Sequence, residues 1–127
     1  MNRMDISRKL VIGFLFAASL FAMSAMKAEA AEKAVDNYNL HCVQCHGSAG
    51  TGKGINAPFL AVQPRNHTSD KDMSSLTDSN VFKAIKEGGI AVGKSTQMPP
   101  FGGVLTDAEI NDLVKHLRAM CKCKGPA

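Results

Sequence analysis

The seven residues His41-Cys42-Val43-Gln44-Cys45-His46-Gly47 decide how the whole chain is read. Two thiols lie three residues apart, close to one helical turn, and an imidazole follows the second at once. Three uses compete for such a set. A redox dithiol of thioredoxin type needs a βαβ context, and the chain shows no period-2 alternation long enough for a sheet. A zinc set of Cys42, Cys45, Cys121 and Cys123 has a legitimate ligand count, but it gives His46 no role. The third use is covalent haem attachment through Cys-x-x-Cys-His. Each thiol adds to one vinyl group of a single porphyrin, and His46 turns onto the iron as an axial nitrogen ligand.

Upstream of this stretch the chain begins with an export signal. Arg3, Arg8 and Lys9 form a positive start, and Leu10 to Met26 carries no charge. Ala28-Glu29-Ala30 then offers small residues at the spacing a signal peptidase reads, which places the cut after Ala30. The alternative is an uncleaved anchor, at the short edge of a spanning helix. Both readings export the domain, and the periplasm is the expected compartment. The precursor has 127 residues and a net charge of +4. Removing residues 1–30 takes away Arg3, Arg8, Lys9 and Lys27 together with Asp5 and Glu29, leaving +2 over 97 residues. That is too short for a multidomain enzyme and too weakly basic to argue for nucleic acid or stable membrane insertion.

The remaining chain, residues 31–127, reads as one all-α domain. Glu32 to Cys45 repeats Ala34, Val35, Tyr38, Cys42 and Cys45 at three- and four-residue steps. Asp78 to Glu87 follows a Thr77 N-cap, carries a Val81, Ala84, Ile85 stripe and ends at Gly88. Asp107 to Met120 opens on a Thr106-x-x-Glu109 capping box. Its apolar face is Ile110, Leu113, Val114, Leu117 and Met120. Between the helices lie loops rich in Gly and Pro, at 47–54 and 88–103. Loops this long in so small a domain usually wrap around something. Gly47-x-x-x-x-Gly52-Lys53 imitates a phosphate loop, but Gly54 stands where a Ser or Thr must hold magnesium.

A second axial ligand has to come from elsewhere in the chain. His41, His67, His116, Met73, Met98 and Met120 are the candidates. Met98 is favoured, because Pro99-Pro100 stiffens its loop and a thioether is a weak ligand that gains from a preorganised support. His67 and Met73 are the next candidates.

In this order and spacing, Cys42-Val43-Gln44-Cys45-His46-Gly47, Met98-Pro99-Pro100-Phe101-Gly102-Gly103 and a closing helix from Leu105 resemble a class I cytochrome c of the small single-haem bacterial kind. The resemblance covers residues 32–120. It implies three main helices and long loops around one covalent haem c. Cys42 and Cys45 would form the thioethers, His46 would be the proximal ligand and Met98 the distal one. It also implies that the Pro58 carbonyl accepts the His46 Nδ1–H. The function implied is one-electron transfer between respiratory redox partners, a reductase on one side and an oxidase or terminal reductase on the other, with no enzymatic turnover of its own. A labile sixth ligand would instead make a gas sensor or a small haem enzyme. Lys53, Lys83, Lys86 and Lys94 are candidates for a basic rim that steers a partner. The tail Cys121-Lys122-Cys123-Lys124 lies outside the pattern. A bond between thiols two residues apart is expected to be strained; the other outcomes are a dimer linked through Cys121 or Cys123, a bond to another protein, or a monomer with two free thiols, and the sequence does not choose among them.

Overall fold

A computed structural model describes residues 26–126. Most of the expected export signal, residues 1–25, lies outside the described residues. Residues 26–32 are helical, and the compact unit that holds the site begins at Lys33. No helix among the described residues is long and apolar enough to cross a membrane.

That unit is helical, and its described residues contain no strand. Residues 33–41 form α1, which buries Ala34 and Tyr38, one turn apart. The sequence predicts a single helix through Cys45. The structure interrupts it at Cys42, whose φ of −114° opens the turn, and α2 then runs Val43–His46. A 3-10 turn spans Ala57–Phe59 and a short helix, α3, spans Asp70–Met73. The periodicity signals missed both, since four residues or fewer show no repeat. The next helix, α4, is Asp78–Glu87 as expected, with the Thr77 side chain accepting the Asn80 N–H. A 3-10 turn follows at Gly89–Val92, and α5 runs Asp107–Cys121.

The core is narrow and centred on α5. Ile110, Leu113, Val114, Leu117 and Cys121 are its buried stripe, packed with Tyr38, Met73, Val81, Ile85 and Leu105. Cys121 takes the buried place predicted for Met120. Met120 is half-buried, and its side chain lies against Gly50 instead. Arg118 is the main polar tie across this core. Its Nε donates to Asp78 at 2.8 Å, and its terminal nitrogens donate to the Met73 carbonyl at 2.7 Å and to the Leu76 carbonyl. One planar fork thus holds α5 to the turn between α3 and α4.

The two tail thiols are joined to each other. Their Cα atoms are 5.1 Å apart, inside the usual disulfide range, so the strain expected from their spacing is not imposed on the backbone separation. The intervening Lys122 adopts φ 53° to allow this. A dimer linked through Cys121 or Cys123 is therefore corrected: both sulfurs are used within the chain.

The capping box forms as read. Thr106 Oγ1 accepts the Glu109 N–H at 3.3 Å, and a Glu109 oxygen accepts the Thr106 N–H at 2.9 Å. Lys33 adds an ion pair to Glu109 at 3.0 Å. Hydrogen bonds donated to the Glu109 carboxylate by the Thr106 N–H and hydroxyl, and then Lys33, lower its pKa from 4.5 to about 2. A depressed folded-state value contributes stability that is present above pH 4.5 and lost as pH falls towards 2. Denaturant midpoints measured across that window should fall with acidification in the wild type. Glu109→Gln should start lower at neutral pH and fall less steeply. Parallel curves for the two proteins would remove Glu109 from the acid response.

Candidate haem-binding site

The attachment stretch is positioned by the glycine-rich loop that follows it. A four-residue helix leaves its carbonyls without partners inside the helix. Here the loop supplies them. The Asn56 N–H donates to the Gln44 carbonyl at 2.8 Å, Gly54 to Cys45 at 3.0 Å and Gly52 to His46 at 2.8 Å. So close an approach forbids a side chain at Gly54, whose Cβ would run into the Gln44 carbonyl and the Cys45 backbone. This is what the false phosphate loop is for: its backbone ladders onto α2 and fixes where Cys42, Cys45 and His46 point.

They point into one cavity of about 570 Å³, within the range of sites that take small molecules and cofactors, ~300–1,000 Å³. Leu60, Val81, Ile85, Leu113 and Leu117 give it mainly apolar walls. Cys42, Cys45, His46 and Met98 all line it. Both cysteines are free and half-buried. Burial, and then the neighbouring Cys45, pushes the Cys42 thiol up to about 11.

His46 has a defined proton arrangement. Its Nδ1 lies 3.0 Å from the Arg65 carbonyl. A carbonyl only accepts, so Nδ1 carries the hydrogen and Nε2 keeps its lone pair. Burial lowers the His46 pKa and outweighs the opposing effect of that bond, a balance that favours the neutral ring. A neutral imidazole with a free Nε2 is the form that ligates iron, and the bond on the far nitrogen raises its basicity. The carbonyl expected in this role was that of Pro58. Pro58 instead lies in the Ala57–Phe59 turn, and the chain brings Arg65 to the ring. No side-chain pattern marks a backbone carbonyl, so the sequence carried no signal for Arg65.

The other candidate ligands separate by position. The His67 ring is stacked on His46, with centroids 4.1 Å apart and planes at 16°. Two rings in that contact leave no space for an ion between them, so His67 does not oppose His46. Burial above all, then His46, Arg65 and His116, lowers its pKa to about 3. His116 lies beside Tyr38 at 5.3 Å, and His41 beside Phe101 at 5.6 Å. Met73 lines the cavity but is 1% exposed and built into the packing against α5. Met98 sits in a loop whose backbone is pinned: its carbonyl accepts the Gly89 N–H at 3.0 Å. Gly88, at φ 84°, lets Met98 and Pro100 approach to where a Cβ would be 2.9 Å from the Met98 carbonyl oxygen. The Phe101 and Gly102 N–H groups then donate to Ile85 and Lys86 at the end of α4, each at 3.0 Å. The zinc alternative fails on this geometry. Cys121 and Cys123 are bonded to each other, and no group of three or more His, Cys, Asp or Glu gathers for a metal among the described residues.

A cytochrome c family model matches residues 29–120. The chain belongs to the cytochrome c family. Membership implies covalently bound haem c, and the residues present fit it: two free thiols, a neutral imidazole and a thioether around one apolar cavity. Two solved structures are similar. One is the KustC0563 c-type cytochrome, with 26% identity and a TM-score of 0.55, covering 68% of this chain and 94% of that one. The other is the Kuenenia stuttgartiensis reducing HAO-like protein complex Kustc0457/Kustc0458, with 26% identity and a TM-score of 0.56. That match covers 70% of this chain and 41% of the other, so the cytochrome corresponds to under half of its length. No curated protein matches by sequence.

If the Gly54 backbone fixes the attachment helix, Gly54→Ala should destabilise the cytochrome by about 1–3 kcal/mol, the usual cost of overpacking. Gly103→Ala is the control, since nothing lies within 4 Å of a Cβ there. Urea unfolding of the two variants should separate them, and equal midpoints would dismiss the close approach as a constraint.

Proposed function

We propose that this cytochrome is a soluble, periplasmic, single-haem electron carrier that passes one electron at a time between respiratory redox partner proteins. The observation that carries the proposal is the convergence of Cys42, Cys45, His46 and Met98 on one largely apolar cavity. Bound haem c supplies one-electron exchange between ferrous and ferric iron. The chain's own residues set the terms of that exchange. Cys42 and Cys45 keep the cofactor from being lost in an open compartment. His46 Nε2 and the Met98 thioether sulfur would hold the iron, and with both bound no position would remain for a substrate. The apolar lining disfavours the extra positive charge of the ferric state and raises the potential. The Arg65 carbonyl pulls the other way, since a more basic His46 favours the ferric state.

Held loops suit this chemistry, because ligation that stays the same in both oxidation states keeps reorganisation small. The Met98 loop is fastened at both ends, to Gly89 and to the end of α4. Of the four lysines expected to form a partner-steering rim, Lys94 lines the cavity mouth, and Lys53 and Lys83 are exposed. Lys86 is engaged with Asp107 at 2.8 Å and leaves that role to the other three. The similarity to part of a reducing HAO-like protein complex supports protein partners as the source and destination of the electron.

Ferric protein should show the weak methionine–iron charge-transfer band. Met98→Ala should abolish that band, lower the potential and open the iron to cyanide. A wild-type protein with high-spin ferric iron that binds cyanide or carbon monoxide at once would overturn the carrier reading in favour of a sensor or small haem enzyme. An unchanged spectrum in Met98→Ala would move the distal ligand to Met73. Export and stoichiometry have their own test. The intact mass of protein taken from the periplasm should equal residues 31–127 plus one haem, and a mass retaining residues 1–30 or carrying any other haem number would defeat that part.

A further inference from the structure

His67 is the one polar residue buried in the described core, at 8% exposure. Its ring lies flat on the His46 ring, and both rings edge the same cavity. The Arg65 carbonyl holds His46 at a single atom, Nδ1. One hydrogen bond fixes a distance but leaves the ring free to rock about it. A flat neighbour in van der Waals contact removes that freedom from one face. We propose that His67 is a positioning residue for the axial ligand, setting the rotational angle of the His46 imidazole above the porphyrin and thereby the electronic ground state of the ferric iron. The proposal rests on the reading of His46 as the proximal ligand.

His67 is itself anchored from two sides. Its backbone N–H donates to the Gly50 carbonyl at 2.6 Å. Its Nδ1 meets the Tyr38 hydroxyl at 3.2 Å, and Tyr38, 2% exposed, donates that hydroxyl to the Gly47 carbonyl at 3.2 Å. One arrangement of hydrogens satisfies both contacts: the phenol donates to Gly47, and the His67 Nδ1–H donates to the phenol oxygen. Gly47 directly follows His46, so the contacts run from the ligand's own backbone through Tyr38 and His67 and return to the ligand's ring. A phenylalanine and a leucine could fill the same volume. What the polar pair adds is a fixed angle, because each buried polar edge has a partner that dictates its orientation.

The angle has a chemical consequence. In low-spin ferric haem the plane of the axial imidazole splits the two iron d orbitals of π symmetry, and the unpaired electron occupies one of them. The splitting is read as the spread of EPR g values, and the orbital's direction as the pattern of haem-methyl NMR shifts. A residue with a merely structural role would move the unfolding temperature and leave both unchanged.

The test uses holo-protein carrying His67→Phe, which keeps a flat ring, His67→Leu, which keeps bulk without flatness, and Tyr38→Phe, which removes the anchor. His67→Leu should change the g spread and reorder the methyl shifts while the methionine–iron band persists. His67→Phe and Tyr38→Phe, which each keep a flat ring at 67 but lose the Tyr38–His67 bond, should both fall between wild type and His67→Leu. Wild-type g values and methyl shifts in His67→Leu would overturn the proposal, as would equal changes in His67→Leu and His67→Phe. Should His67→Leu give no holo-protein, unchanged spectra in Tyr38→Phe overturn it instead. His46→Ala separates the two readings: a low-spin spectrum that survives it defeats the ligand reading itself, whatever the His67 variants show.

Discussion

The hydrogen bond from His46 Nδ1 to the Arg65 carbonyl is the constraint on which the site depends. It selects the tautomer, frees Nε2 and aims it at the cavity. Making it requires the chain to return over α2 nineteen residues after His46. That return is why the segment after the attachment helix is long, irregular and rich in glycine. Its backbone donors satisfy the α2 carbonyls on the way out, and its carbonyl at Arg65 meets the imidazole on the way back. A regular element could not do both, because its own backbone groups would already be paired.

The rest of the molecule keeps that arrangement in place with little apolar material. The described core is the α5 stripe plus Tyr38, Met73, Leu105 and two α4 residues, Val81 and Ile85. Small domains bury a low fraction of their surface and commonly need a staple or a cofactor. Much of the α5 stripe and of α4 faces the cavity as well as the core, since Leu113, Leu117, Val81 and Ile85 belong to both. A flat apolar cofactor in the cavity would therefore complete the core as well as carry the chemistry. The lack of Trp fits this division: the porphyrin supplies the large planar body that the side chains do not.

The helices were legible in the sequence because each leaves a side-chain signature. Thr77 and Thr106 announced their helices by composition alone, and both N-caps form. Cys42, Cys45, His46 and Met98 stood out as candidates because thiol, imidazole and thioether are scarce and chemically distinctive, and all four line one cavity. What the sequence hid was carried by backbone or by packing. Arg65 acts through a carbonyl that every residue possesses, so nothing distinguished it from Pro58. His67 read as a spare ligand, because its role comes from stacking on a residue 21 positions earlier. The break at Cys42 hid for a related reason. Helical spacing continues through it, and Cys42 still receives from His46 N–H at 2.9 Å, so the hydrophobic pattern does not register the change in φ.

The cysteine tail shows how magnitude decides a role. Closing a loop of three residues removes little freedom from the unfolded chain, on the order of 1.5 kcal/mol on the chain-entropy model against roughly 4.7 for a loop of a hundred. The Cys121–Cys123 bond is therefore a weak staple for the domain as a whole. Its effect is local and falls on Arg118. Cys123 lies 3.8 Å from one guanidinium nitrogen, and Gly125 packs so closely on Arg118 and the Leu76 carbonyl that a Cβ there has no room. The tail thus covers the fork that ties α5 to Met73, Leu76 and Asp78. Shielding matters for such a contact, because an Arg–Asp pair gains strength as water is excluded from it. Arg118 is 12% exposed while Asp78 is 70% exposed, so the cover protects the end of the pair that also holds the two carbonyls. Through Arg118 the tail cysteines support Met73 and Leu76, two residues that line the cavity.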